Sequence, residues 1–285
     1  MKVAIIGSGP AGAAAAYTLS KKGMDVVVFE RDAAIGGRTK SLRKNGFILD
    51  TGAGFVTNFY PRLLELAKER GFQNEIEEMN RISGLFRDQR LASLNVGSMI
   101  SFLQYPFLTW MEKAKMAFWM LGVTLKRKRY DIADPSTLIE VDQRSIADHA
   151  RAVLTDNIYH SLVRPGIEPF WYFSCEDVSE GLFVGLSAHA AGAKFYTLNK
   201  GIDRICSALL REAKVRRKTL VESVSEEQGS FRVHFSRDGD NQSAVFDRVV
   251  FATTASVAAR LSKGLSEEHV SSVQRSFLEE QRYAA

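Results

Sequence analysis

Three glycines, Gly7, Gly9 and Gly12, stand at G-x-G-x-x-G spacing, and an acid, Glu30, follows them after a second apolar run. These types and distances suit one kind of chemistry, the holding of a dinucleotide. The first glycine permits a tight turn, the second lets the main chain approach a pyrophosphate, and the third lets a helix pack close to a strand. Ser8, Pro10 and Ala11 complete the loop, with Pro10 suited to the first turn of a helix. The free N–H groups and positive dipole end of that helix would then face the phosphates. Glu30 is placed to accept hydrogen bonds from ribose hydroxyls. Catalytic side chains stay unassigned.

Positioning these residues requires a strand, a helix and a second strand. Lys2 to Ile6 is an apolar run bounded by glycine and reads as a core strand. Ala11 to Leu19 is small and helix-forming. Asp25 to Phe29 gives the second strand, which Glu30 ends. Beyond it, "ERDAAIGGRTKS" repeats glycine at Gly36 and Gly37 and adds Arg38. Paired glycines with an arginine let a main chain run under a diphosphate or a flat ring edge with a fixed cation nearby. Arg31, next to Glu30, belongs to the same stretch.

The acid, five intervening residues and Gly-Gly-Arg resemble the second motif of a flavoprotein superfamily. Its members include amine oxidases, protoporphyrinogen oxidases and phytoene-type desaturases. The resemblance implies non-covalent FAD and an α/β fold: a Rossmann-like FAD/NAD(P)-binding domain with an inserted, mostly helical substrate domain. By the match, the FAD domain would occupy residues 1–74 and 191–265, the substrate domain 75–190, and a re-entry into the substrate domain 266–285. In that family the segment matching Asp50 to Phe55 passes close to the flavin, which assigns Gly52, Ala53, Gly54 and Phe55. The main chain of Val221 would meet the adenine, and Ala252 and Thr253 would end a strand, Arg248 to Phe251, near the dinucleotide. The implied chemistry is hydride transfer from a substrate carbon to flavin. The Met-, Phe- and Trp-rich middle of the chain favours an apolar substrate, porphyrinogen- or polyene-like, over a small amine.

Several further expectations follow from the letters alone. At 285 residues and 45% apolar, the chain can bury a sizeable core in two domains. Its net charge of +5 does not indicate nucleic acid. Cys175 and Cys206 stand far apart without zinc or redox spacing, and His149, His160 and His189 lack metal spacing. The first strand starts at residue 2, so a cytoplasmic protein without a signal peptide is expected. Met116 to Leu125, bracketed by Lys113, Lys115 and the run Lys126 to Arg129, reads as a buried helix with a solvated basic end; a peripheral membrane contact is the alternative. "RDQR" and Asp238–Gly239 read as hairpin turns. The Gly-Asp pair with which the resembled family closes its FAD site is not found at a helix. Gly239–Asp240, the one such pair, sits in a turn. Weak FAD binding, with ADP competing almost evenly, is therefore expected, and a truncated or non-catalytic relative is the alternative function.

Overall fold

The computed structural model describes residues 1–132, 134–263 and 265. The expected re-entry at 266–285 lies outside the described residues. The described residues divide into two units, one built from Met1–Val56, Arg62–Glu77 and the described residues from Tyr196 on to 265, the other from Thr57–Pro61 and Glu78–Phe195.

The first unit is organised by a parallel sheet. Its strands β1 (Lys2–Ile6) and β2 (Asp25–Phe29) are apolar at nearly every position and buried from their second residue on, the pattern of a sheet covered on both faces. They pair in parallel, Val3 opposite Val26 and Ile6 opposite Phe29. The strand Arg248–Phe251 flanks β1 on the other side, and Lys214–Arg216 flanks β2 as the sheet edge. Between β1 and β2 runs helix α1 (Pro10–Lys21), whose Gly12, Ala13 and Ala16 are buried. Small residues on that face let the helix lie close to the sheet.

A three-stranded antiparallel meander, Thr219–Glu227, Ser230–Arg237 and Asp240–Phe246, belongs to the same unit. Its turns fall at Gln228–Gly229 and Asp238–Gly239, where all four residues have positive φ, the geometry a two-residue hairpin turn needs. The meander packs its inward face on the parallel sheet. Phe29 meets Phe235 and Phe246 with ring centroids 5.1 and 5.8 Å apart. Ala4, Ile6, Val27, Val221 and Val233 complete this core.

The second unit is mainly helical. A hairpin, Ile82–Arg87 with Arg90–Asn95, turns at Asp88–Gln89, within the "RDQR" stretch. Helices Trp110–Leu125, Ile146–Val153 and Glu180–Ala190 follow, with shorter ones between. Ile146, Ile158, Tyr159 and Phe183 centre its core. Thr109 and Glu112 cap the longest helix reciprocally, each bonding the other's main-chain N–H. That helix is half-buried: Met116 and Val123 face inward, while Phe118, Leu121 and Leu125 are exposed. No helix among the described residues is long and apolar enough to cross a membrane.

The buried carboxylate of this unit is paired. Glu180 is 4% exposed and accepts from the Gln143 N–H and the Arg144 Nε, both at 3.0 Å, and it bonds His149 Nδ1. His149 is thus an orienting partner of a core carboxylate.

Candidate dinucleotide site

At the carboxyl ends of the parallel strands lies a cleft of about 560 Å³, wholly within the first unit. Ligands of open α/β sheets bind at this end of the strands. The glycine loop between β1 and α1 forms one wall. Gly7 has φ +105°, and a Cβ there would stand 2.5 Å from the Ala252 carbonyl oxygen. At Gly12 a Cβ would fall 2.0 Å from the Gly7 carbonyl oxygen. Both glycines are therefore required by the protein's own packing, whatever the ligand. Gly9 differs. It caps α1 in an extended conformation, φ −68° and ψ −176°, and a Cβ would meet nothing nearer than the Gly37 Cα at 3.8 Å. The protein's own packing therefore does not require glycine at position 9.

The second glycine loop sits against the first. The Gly36 N–H donates to the Ser8 carbonyl at 3.2 Å, and Gly36 and Gly37 take φ of +112° and +54°. Gly37 and Arg38 line the cleft, and Arg38 is exposed there.

Glu30 is 7% exposed, and its carboxylate ties the loops together. Oε2 accepts from the Ser8 N–H at 3.1 Å and from the Ser8 hydroxyl, and Oε1 accepts from the Asp32 N–H at 2.9 Å. A carboxylate offers about four acceptor positions, so these three donors leave room for one more, from a ribose hydroxyl. Asp32 in turn pairs with Lys40, and the hydrogen bond from that ammonium holds the Asp32 carboxyl below the usual carboxylate range.

The opposite wall comes from distant sequence. Val221 is buried, and the register between its strand and Ser230–Arg237 slips between Val221 and Ser223. Such a bulge interrupts the ladder and frees main-chain groups for another partner. Ala252 and Thr253 close the end beyond Arg248–Phe251.

The structure thus brings Gly7, Ser8, Gly9, Pro10 and Ala11 into one cleft with Glu30, Arg31, Gly37 and Arg38, and with Val221, Ala252 and Thr253. Gly12 and Gly36 stand behind that lining as packing positions. The segment Gly52–Phe55 does not line the cleft. A Cβ at Gly52 would sit 2.0 Å from the Arg38 carbonyl oxygen, and the Ala53 N–H donates to that oxygen at 3.0 Å, so the segment braces the second glycine loop. Gly54 meets nothing that would bar a side chain. Sequence reasoning missed Lys40, Asp32, Leu220, Val257 and Arg260, which also line the cleft. Val257 and Arg260 are three apart on the helix Ala255–Leu261, a spacing that puts both on one face and that the letters already carried.

These residues fit the ADP half of a dinucleotide: an open helix N-terminus for the diphosphate, a buried acid for the ribose, and a bulged strand for the base. The model of the family described as flavin containing amine oxidoreductase matches residues 10–279. The chain belongs to that family.

Members of this flavin-containing family resemble the chain to different extents. Protoporphyrinogen oxidase 2 of Arabidopsis thaliana is 39% identical over 74 residues, 26% of this chain and 15% of that protein. A 4,4'-diapophytoene desaturase of Staphylococcus aureus is 43% identical over 56 residues, 20% of this chain and 11% of its own. The crystallised putrescine oxidase bound to putrescine shares the fold, with a TM-score of 0.69 at 20% identity, over 96% of this chain and 63% of that one. The chain therefore spans less than two thirds of the relatives it matches.

Proposed function

We propose that the chain is an FAD-dependent oxidoreductase in which the cleft holds the ADP half of the cofactor. The observation that carries this reading is the coupling of two glycine loops through Ser8, whose carbonyl meets the Gly36 N–H and whose N–H meets buried Glu30. A plain glycine turn needs no second loop and no buried acid. When bound, FAD would supply acceptance of hydride from a substrate carbon. The chain's own part is to bind and orient. The main chain of Gly7 to Ala11 and the N-terminus of α1 would hold the diphosphate. Glu30 would fix the ribose, the main chain near Val221 the adenine, and Arg38 would add a positive charge at the second loop. The substrate class we propose is apolar, porphyrinogen- or polyene-like, with an amine as the competing class. The matched oxidases and desaturases support both.

The test is reconstitution of the full chain with FAD, followed by anaerobic mixing with a porphyrinogen, a polyene and a diamine. Bound flavin whose oxidised absorbance bleaches with one of them supports the reading. FAD binding without bleaching by any of them would leave a non-catalytic relative in its place.

A further inference from the structure

A second hollow, of about 590 Å³, opens beside the edge strand Lys214–Arg216, and five of its eight lining residues are cationic: Lys214, Arg216, Arg217, Lys218 and Arg237. The other three, Ala33, Val215 and Gln242, are neutral, so the lining carries no acid. Among the described residues Lys214, Arg217 and Lys218 make no ion pair. Arg237 lies 3.6 Å from Asp238, with both side chains more than half exposed, a pair of little strength.

The main chain holds these cations in place. Arg216 lies opposite Phe29 in the sheet, and the Glu30 N–H donates to its carbonyl at 2.9 Å. Its guanidinium carbon lies 5.6 Å from the Phe29 ring centroid and 5.3 Å from that of Phe235, so two aromatic faces fix the fork. Lys218 takes φ +50°, a conformation that costs a non-glycine residue, and its N–H donates to the Asp32 carbonyl at 3.1 Å. Arg237 comes from the other sheet, where it pairs opposite Thr219.

Cations on an edge strand guard against edge-to-edge pairing. A row along one strand would do that. Here a fifth cation, supplied by a different sheet, converges on the same concavity, and like charges gathered without a counterion repel one another. A multivalent anion removes that repulsion.

We propose that this hollow binds a compact polyphosphate, free or carried by a nucleotide. Arginine forks match phosphate oxygens two at a time, and the lysines add point charges. Five positive charges around so small a volume call for more negative charge than a single carboxylate carries. The site adjoins the dinucleotide cleft but is separate from it. Asp32 and Thr219 line the cleft, whereas their neighbours Ala33 and Lys218 line the hollow.

The experiment is calorimetric titration of the full chain with sodium tripolyphosphate. It is repeated in Gly9→Ala, where an added methyl obstructs the dinucleotide cleft, so that anion binding at the α1 N-terminus is told apart. We expect saturable binding that survives in Gly9→Ala and weakens at least tenfold in Arg217→Glu and in Lys214→Glu. Arg217→Gln, a milder change at an exposed position, should weaken it about threefold. Lys128→Glu, the same charge reversal in the helical unit, should change it less than twofold. In the Gly9→Ala background, tighter ATP than tripolyphosphate identifies a nucleotide carrier, and the reverse a free polyphosphate. No saturable binding, loss of binding in Gly9→Ala, or equal weakening by Lys128→Glu and Arg217→Glu would overturn the proposal. The last of these would mean that the anion follows net charge alone.

Discussion

Replacing Gly9 by alanine separates what the glycine loop does for the fold from what it does for a ligand. Gly9 already has φ −68°, which any residue adopts, and the added methyl would have the Gly37 Cα at 3.8 Å and the Gly36 carbonyl oxygen at 3.9 Å as its nearest neighbours. Both are ordinary contacts. Stability gains about 0.4–1 kcal/mol from the less flexible unfolded chain. It loses a similar amount because alanine is a poorer helix N-cap than glycine. The two offset, and the melting temperature should stay near the parent's. The ligand is affected differently. A diphosphate approaching the start of α1 is pushed outward by a methyl, which breaks one or two hydrogen bonds to a charged group at about 1.5–3 kcal/mol each. A loss of about 3 kcal/mol is roughly 150-fold in Kd. Gly12→Ala is the counterpart. Its methyl would fall 2.0 Å from the Gly7 carbonyl oxygen, so the loop or the helix must move. Overpacking of this kind costs about 1–3 kcal/mol of stability before any ligand is added. Calorimetry with ADP and FAD, paired with thermal melts, reads both effects. A Gly9→Ala protein that melts normally and binds ADP as tightly as the parent would refute the phosphate-loop geometry. A Gly9→Ala protein that fails to fold would refute the open space assigned to that position.

Glu30→Gln should destabilise the ligand-free protein by about 1–3 kcal/mol, because one carboxylate oxygen becomes an amide donor facing the Ser8 or Asp32 N–H; urea unfolding without nucleotide tests this, and an unchanged midpoint would confine Glu30 to the ligand. Ile158→Ala, at a position with 0% exposure, should cost about 2–5 kcal/mol, and Phe118→Ser, at 80% exposure, within about 0.5 kcal/mol. Urea unfolding checks both, and equal costs for the two variants would mean that the buried and exposed positions are misassigned. Burial and then the nearby Glu168 charge push the Cys175 thiol up to about 12, and burial and then Glu176 push the Tyr159 hydroxyl up to about 12. Both groups release their protons more readily when unfolded, near roughly 8.5 and 10. The native state therefore binds more protons than the unfolded state from about pH 8.5 up to 12, and stability falls with rising pH across that window. Melts from pH 7 to 10.5 check the direction, and a flat profile would contradict it.

The parts of the cleft that were legible in the sequence are those set by the main chain over short distances. The run Lys2–Ile6, the glycine spacing, Pro10 and the run Asp25–Phe29 make one strand–helix–strand unit without help from elsewhere. Asp238–Gly239 announces its turn because two adjacent positive φ values favour that pair of residues. The strand Lys214–Arg216 was not legible. Three residues are too few to establish a period, and only pairing with β2 makes them a strand. Glycine at Gly52 was legible as a close approach, but not what it approaches. The same letter serves a flat ligand or a neighbouring carbonyl, and the Arg38 carbonyl is what stands there.

Glu30 shows how a correct chemical type can hide a second task. An acid at the end of β2 is expected to meet ribose hydroxyls, and nothing in its spacing says that Ser8 and Asp32 already donate to it. Those two donors are what bring the Gly7–Ala11 loop and the residues after β2 to the same carboxylate before any nucleotide arrives. Preorganisation of this kind lowers the ordering cost of binding. It rests on the Ser8 main chain, whose N–H donates to Glu30 and whose carbonyl accepts from the Gly36 N–H, more than on the Ser8 hydroxyl. Ser8→Ala removes the hydroxyl but keeps the N–H that Glu30 accepts and the carbonyl that holds Gly36, so the loop should persist while one of the carboxylate's three donors is lost. The freed acceptor position is then open to a second ribose hydroxyl. ADP should consequently bind Ser8→Ala as tightly as the parent, within about threefold, and 2',3'-dideoxy-ADP should lose about tenfold or more against ADP in either protein, the scale of one hydrogen bond to a charged group. Equal binding of ADP and its dideoxy analogue would remove the ribose from Glu30 and leave the acid a purely structural clasp between the two glycine loops.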